Sequence, residues 1–368
     1  MRLMPARQRQ ERAMLRRVIA LAIVGVVWAC AAVAGQIEDA TAAYKRGDYA
    51  AALKLFERLA ARGDPVGLTH LGIMYLEGHG VAPDPAEALK WLRLAAEKNE
   101  PFGQNWLGVI YQNGWGVPKD HREAVGWYRR AAERGNSQAQ SNLGAMYLHG
   151  RGVAQDYSEA LKWFQFAAAR KEIVSQFYLG VMYENGWGVA ADYAQALHWY
   201  RIAAGQGNPL GQTGLGVMYL KGRGAAPDYA EAVKWLRLAA AQNETSSQNW
   251  LGIMYQNGWG VLQDSTEAAR WYRRAADRGD PLAQSNLAGL YENGWGVPQD
   301  LVRAHMWFNL AAALGKEDVA RNRDYLATMM PREQIAEAQR LAREWQPKVG
   351  GEGDGGPPVP AEGNQPGS

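Results

Sequence analysis

The chain has 368 residues, of which 47% are hydrophobic, and a formal net charge of +3. Six arginines and one glutamate place +5 of that within residues 1–34, so the remainder stands at −2 with both signs interspersed. Such a body has no basic field for gathering nucleic acid, and the single cysteine, Cys30, excludes an internal disulfide or a cysteine metal cluster.

Residues 1–34 run from arginines ending at Arg17, through an apolar stretch from Val18, to small residues at Ala32-Val33-Ala34. This order predicts a secretory signal peptide. The apolar run is also near the lower limit for an uncleaved membrane anchor, the alternative. Either predicts repeats outside the cytoplasm, in the periplasm. Val27-Trp28-Ala29-Cys30 is only loosely similar to a lipobox, because bulky Trp28 precedes Ala29 and the apolar run continues past the cysteine.

Residues 35–66 carry Ala43-Tyr44, Gly47-Asp48-Tyr49, Leu53, Phe56 and Leu59, a pattern similar to a tetratricopeptide helix pair. Such a pair would cap the open N-terminal face of a stack. From residue 67 to 316 one pattern recurs seven times. Leu71, Leu107, Leu143, Leu179, Leu215, Leu251 and Leu287 stand 36 residues apart. Each has a tyrosine four residues later, from Tyr75 to Tyr291, and a tryptophan in the second half of its repeat, from Trp91 to Trp307. A fixed interval of this size marks a solenoid, whose repeats bury their apolar faces only by stacking.

Within a repeat, Gly103, Gln104, Leu107, Ile110 and Tyr111 share one side of a 3.6-period helix. A glycine follows the leucine in six of the seven repeats and predicts close approach of another helix, since mid-helix glycine costs about 1 kcal/mol against alanine. A Gly-x-Gly pair then ends the first helix. An aspartate at Asp84, Asp120 and their equivalents, with glutamate three later in most repeats, predicts a capping box opening the second helix. That helix carries Ala88, Trp91 and Ala95-Ala96 at helical spacing, with the tryptophans expected in the core, and stops at Asn99, Gly135, Lys171, Gly207, Asn243, Gly279 or Gly315.

The string Leu-Gly-x-Met-Tyr-x-x-Gly-x-Gly-Val, then Asp, then Glu-Ala-x-x-Trp and Ala-Ala, resembles the Sel1-like repeat, a relative of the tetratricopeptide repeat. The resemblance spans residues 67 to about 315. It implies an all-α, right-handed α/α superhelical solenoid that serves as a scaffold for protein–protein contacts. Residues 317–346 continue as capping helices, and the Gly- and Pro-rich segment 347–368 is expected to be disordered.

A slower rhythm overlies the repeat. Alternate repeats carry Leu76, Leu148 and Leu220 after the tyrosine, whereas the others carry Gln112, Glu184, Gln256 or Glu292 followed by Asn-Gly-Trp-Gly. Residues 91–117 and 235–261 match at 20 of 27 positions, which points to growth by duplication of pairs and then of a four-repeat block.

Catalytic patterns do not emerge. The six histidines form no His-Glu-x-x-His or paired-ligand spacing, there is no Ser-x-x-Lys or Gly-x-Ser-x-Gly, and Gly-x-Gly lacks the strands of a phosphate cradle. The expectation is a monomeric protein without enzymatic activity, metal or cofactor, touching a membrane only through an uncleaved N-terminal segment.

Binding has more to work with. Positions two before and five after the leucine lie roughly 140–160° from the core direction of the first helix. They hold Asn105 and Gln112, Ser141 and Leu148, Phe177 and Glu184, Thr213 and Leu220, Asn249 and Gln256, Ser285 and Glu292. By analogy with tetratricopeptide solenoids they would line a concave surface, where amides and hydroxyls bind an extended peptide; a merely solvated face is the alternative. The ladder from Gln104 to Gln284 sits beside the leucines and reads as buried structure. Loop residues Trp115, Trp187, Trp259 and Trp295 would either form an aromatic rim for a partner or glycan or fold over their own turns. An envelope-structural or peptidoglycan-binding module is thus the second functional reading.

Overall fold

The computed structural model describes residues 34–313 and 317–348. The N-terminal segment up to residue 33 with Cys30, where a signal peptide is expected, the Gly315 stop and the tail from residue 349 lie outside the described residues. Two compact units are present, Met1–Met182 with Gly186–Ala190, and Tyr183–Asn185 with Ala191–Ser368. Among the described residues every regular element is a helix.

The first unit holds α1 (34–45), α2 (Tyr49–Ala61), α3 (Pro65–Glu77), α4 (Pro85–Glu97), α5 (Pro101–Asn113), α6 (His121–Glu133), α7 (Ser137–His149) and α8 (Tyr157–Ala168). Helix α9 (Ile173–Asn185) is divided between the units. The second holds α10 (Tyr193–Gly205), α11 (Pro209–Lys221), α12 (Tyr229–Ala241), α13 (Thr245–Asn257), α14 (Ser265–Asp277), α15 (Pro281–Asn293), α16 (Leu301–Ala312), α17 (Glu317–Thr328) and α18 (Arg332–Glu344). Within each unit successive helices pack on one another, as α3 on α4, α5 on α6 and α11 on α12. This is the predicted all-α helical-repeat solenoid.

The boundaries follow from the expected cap chemistry, with one change. Asp84, Asp120, Asp156 and Asp264 each accept hydrogen bonds from the two backbone amides that open the second helix. The reciprocal half of the capping box is not made. The aspartate's own amide donates instead to the repeat's tyrosine carbonyl, at 2.8 Å from Asp120 to Tyr111 and 2.9 Å from Asp264 to Tyr255. That bond ties the loop back to the first helix and frees the glutamate. Glu159 and Glu231 then accept from Lys162 and Lys234, and from the indoles of Trp163 and Trp235. The second-helix stops are as expected: Asn99, Lys171 and Asn243 join the glycines at positive φ.

The mid-helix glycine does what its repetition predicts. A Cβ on Gly108 would stand 2.6 Å from the Tyr128 ring, and one on Gly252 would stand 2.5 Å from Tyr272. The partner, however, is the residue after the tryptophan. Leu92, Tyr128, Phe164, Tyr200, Leu236, Tyr272 and Phe308 are buried, whereas Trp91, Trp127, Trp199, Trp235 and Trp271 are only half-buried, and only Trp163 and Trp307 are core. The indole is wide enough to reach from the core to the outer face, where Arg130 and Arg274 lie over Trp127 and Trp271.

Helices α16, α17 and α18 close the second unit around Trp307, Phe308 and Leu326, with Trp345 edge-on to Trp307. His305 is 2% exposed in α16. Burial, and then the nearby Arg323 guanidinium, hold its imidazole below the usual histidine range, against a weaker opposing pull from Asp324.

Gly252→Ala is expected to destabilise by about 1–3 kcal/mol, because the ring beneath it must shift. Gly126→Ala, with nothing within 4 Å of the new methyl, should stabilise by about 0.5–1 kcal/mol. Denaturant titration of both variants checks the pair, and equal effects would discard the close-approach argument. For His305, the unfolded chain takes up the proton more readily than the folded one. Stability is therefore lost as pH falls through the unfolded value of about 6.5 and continues to fall toward the folded value. His305→Gln should flatten part of the drop in unfolding midpoint between about pH 7.5 and about pH 5.5; an unchanged slope would count against it.

Candidate partner-binding surfaces

Of the expected peptide-binding residues the structure buries Asn105 and Asn249 and leaves Gln112, Phe177, Glu184, Thr213, Gln256 and Glu292 half-buried, most of them engaged by neighbouring side chains. Asn105 and Asn249 are each 4% exposed. Their side-chain oxygens accept from Asn142 (3.0 Å) and Asn286 (2.9 Å) of the next first helix. Ser141 is buried, and Ser285 is half-buried. Thr213 is half-buried, its hydroxyl within reach of the Pro209 carbonyl, the Glu244 carboxylate and the Ser247 hydroxyl. Phe177 is half-buried, tilted against Tyr178. The expected direction differs because it was measured from one leucine. A stacked helix buries two sides, one against its own second helix and one against its neighbour.

The positions five after the leucine serve the interior as well. Gln112 and Gln256 accept from the hydroxyls of Tyr128 (2.8 Å) and Tyr272 (2.7 Å). Glu184 accepts from Tyr200 (2.8 Å) and also from Arg223 (2.9 Å). Burial raises the phenol pKa of Tyr128 and Tyr272, and burial followed by the Glu184 charge raises that of Tyr200, so all three remain donors. The alternate repeats carry apolar residues at these two positions, Leu148 with Phe164 and Leu220 with Leu236, and Leu220 and Leu236 pack in one core. The slower rhythm in the sequence is therefore an alternation of polar and apolar cores. Glu292 is half-buried, and its repeat carries Phe308 where the others place tyrosine.

The glutamine ladder is buried, as read. Gln104, Gln140, Gln212, Gln248 and Gln284 donate to the carbonyls of Ala96, Ala132, Ala204, Ala240 and Ala276 in the preceding second helix. A second inter-repeat bond runs from Arg93, Arg129, Arg201 and Arg237 to the hydroxyls of Tyr111, Tyr147, Tyr219 and Tyr255.

What each first helix leaves open is a different stripe. On α5 it is Phe102, Trp106, Val109 and Asn113; on α13 it is Ser246, Trp250, Ile253 and Asn257. These are spaced i, i+4, i+7, i+11, one face of a helix. The Lys221 ammonium lies 5.4 Å from the Trp250 ring on this side. The recurrence of Trp106 and Trp250 beside the core leucine was the available signal for this face.

Two of the loop tryptophans, Trp187 and Trp259, rest on the preceding repeat. Trp187 stacks on Tyr157 (5.5 Å, 10°) and Trp259 on Tyr229 (6.0 Å, 11°), each tyrosine being the first residue of the previous second helix. The second loop glycine permits this. Gly188 has φ +69, and any Cβ there would overlap the Tyr157 carbonyl at the start of α8. Trp115, Trp259 and Trp295 keep 41%, 37% and 54% of their surface exposed, and Trp187 is half-buried. Among the described residues no group of His, Cys, Asp or Glu stands together in a way that could hold a metal.

The Sel1 repeat family matches at residues 41–64, 65–100, 101–136, 137–171, 173–208, 209–244, 245–280 and 281–316. The segment read as a tetratricopeptide-like pair is thus matched in part as a shortened repeat of the same kind. A Sel1 repeat protein from Oxalobacter formigenes has a similar structure, at 28% identity and a TM-score of 0.61, over 65% of this chain and 96% of that one. A protective antigen present in uropathogenic Escherichia coli strains, displaying an SLR fold, is 30% identical over 84% of this chain and 83% of its own, with a TM-score of 0.42. No curated protein matches the chain.

If Gln112 serves the core, Gln112→Leu should cost about 1–3 kcal/mol by leaving the buried Tyr128 hydroxyl unpaired. The double variant Gln112→Leu, Tyr128→Phe rebuilds the Leu148 and Phe164 pair and should recover most of that loss. A double-mutant cycle in denaturant reads the coupling, and additive costs would refute the pairing.

Proposed function

Because the chain belongs to the Sel1 repeat family, we propose that it is a non-enzymatic scaffold that binds a protein or peptide on the open stripes of its first helices. We place it in the bacterial periplasm, in envelope signalling or assembly. The observation that carries the reading is the stripe itself. Trp106 and Val109 on α5, and Trp250 and Ile253 on α13, stay partly open although each lies beside a fully buried leucine. Apolar and aromatic side chains at i, i+4 and i+7, with amides at Asn113 and Asn257, suit an amphipathic helix or an extended segment laid across successive helices. The amides of Asn105 and Asn249 are already bonded within the stack, so they support this surface from beneath. The arginine-rich start of the chain followed by an apolar run supports export.

Cross-linking capture from the separated periplasmic and cytoplasmic fractions of the source cell tests both parts. The wild-type chain should retain a specific partner from the periplasmic fraction, and Trp106→Ala with Trp250→Ala should lose it while remaining helical. Retention by the double variant would move the site off the stripe. A partner found only in the cytoplasmic fraction would overturn the location.

A further inference from the structure

The loop edge of the first unit carries a charge that its counterpart in the second unit has neutralised. In the second unit Arg223, between two loop glycines, lies over the Tyr193 ring and pairs with Glu184 at 2.9 Å. Arg151 occupies the same place in the first unit, 72 residues earlier. The position corresponding to Glu184 is there the neutral Gln112, whose side-chain oxygen already accepts from Tyr128. Arg151 is exposed, and no ion pair engages it among the described residues. Its loop is seated on the start of α6, beside His121 and Arg122, by the close approach of Gly152. One repeat to either side stands an aromatic platform at the same loop position. Trp115 is 41% exposed. Trp187 is half-buried and held flat by its stack on Tyr157.

We infer that the edge running from Trp115 through Arg151 to Trp187 binds an acidic glycan. Pyranose rings lay their C–H faces on the two indoles, and a carboxylate of an intervening sugar takes the Arg151 fork. The charge pattern argues against a nucleic-acid strand, which needs a basic groove along its whole length, whereas the body outside residues 1–34 has a net charge of −2. An acidic peptide would meet the arginine but has no flat apolar face repeated along its backbone to suit two fixed indoles. This surface lies on the loops, apart from the first-helix stripes, and stands whether or not those bind a protein.

The test is titration calorimetry of the full chain with an oligogalacturonate, with a neutral cello-oligosaccharide, poly-L-glutamate and oligo-dT as comparison ligands. Binding of the oligogalacturonate alone, weakened by added salt, is expected. Arg151→Gln and Trp115→Ala should each lower the affinity by about tenfold or more. Leu262→Ala, at a 91% exposed loop residue of the second unit, should leave it unchanged. Helicity and melting of each variant confirm that it folds. Absence of binding, unchanged affinity in Arg151→Gln, or equal binding of any comparison ligand would each overturn the proposal.

Discussion

Everything in this protein depends on how closely the first helix of a repeat can lie on the second. The glycine after the core leucine removes the one side chain that would hold the two apart, and a ring or branched side chain from the second helix fills the space, as Tyr128 does over Gly108. Glycine within a helix is costly, so this contact has to return more than it takes. It does so by burying a large side chain completely, and by setting the distance at which the neighbouring repeats must fit. The alanines from Ala95 to Ala311 then allow the same closeness on the other side of the second helix.

Two chemistries solve the same packing problem in alternation. In one, tyrosine reaches through the core to an amide or carboxylate near the end of the first helix; in the other, leucine and an apolar partner close the space. The polar form is the more demanding, since each buried hydroxyl must find its acceptor. It also explains why residues suited to a ligand by type, such as Gln112, Gln256 and Glu184, are already occupied. Where the acceptor is Glu184 it holds an arginine from the next repeat as well; where it is Gln112 that arginine's charge is left over. The difference between a carboxylate and an amide at one core position thus sets the electrostatics of a loop about a repeat away.

What is legible in the sequence depends on the range of the interaction. Aspartate caps, left-handed stops at Asn99 or Gly135 and the turn glycines act within a few residues, and their chemistry is visible in the string. Direction around the helix was harder. Measuring from Leu107 alone put Asn105 and Asn249 on an open face, when a stacked helix has two buried sides and the next first helix covers them. Trp91, Trp127, Trp199, Trp235 and Trp271 are both core and surface, because an indole is large enough to span the two, and the residue after each is the one fully enclosed. Loop residues Trp187 and Trp259 rest on a tyrosine 30 positions earlier, a partner supplied by the preceding repeat.

The sequence by itself determined that the chain is a tandem array of helix pairs, where each helix starts and stops, and which residue meets its neighbour at closest range. Those features repeat at a constant interval and rest on local hydrogen bonding or on the cost of a glycine. Only the tertiary structure decided which faces remain open and which charges remain unpaired, because both depend on contacts between repeats, made at separations of 8 to 39 residues. A contact across that distance is chosen by the geometry of stacking, and the same glutamine or tryptophan becomes core or surface according to what the neighbouring repeat brings against it.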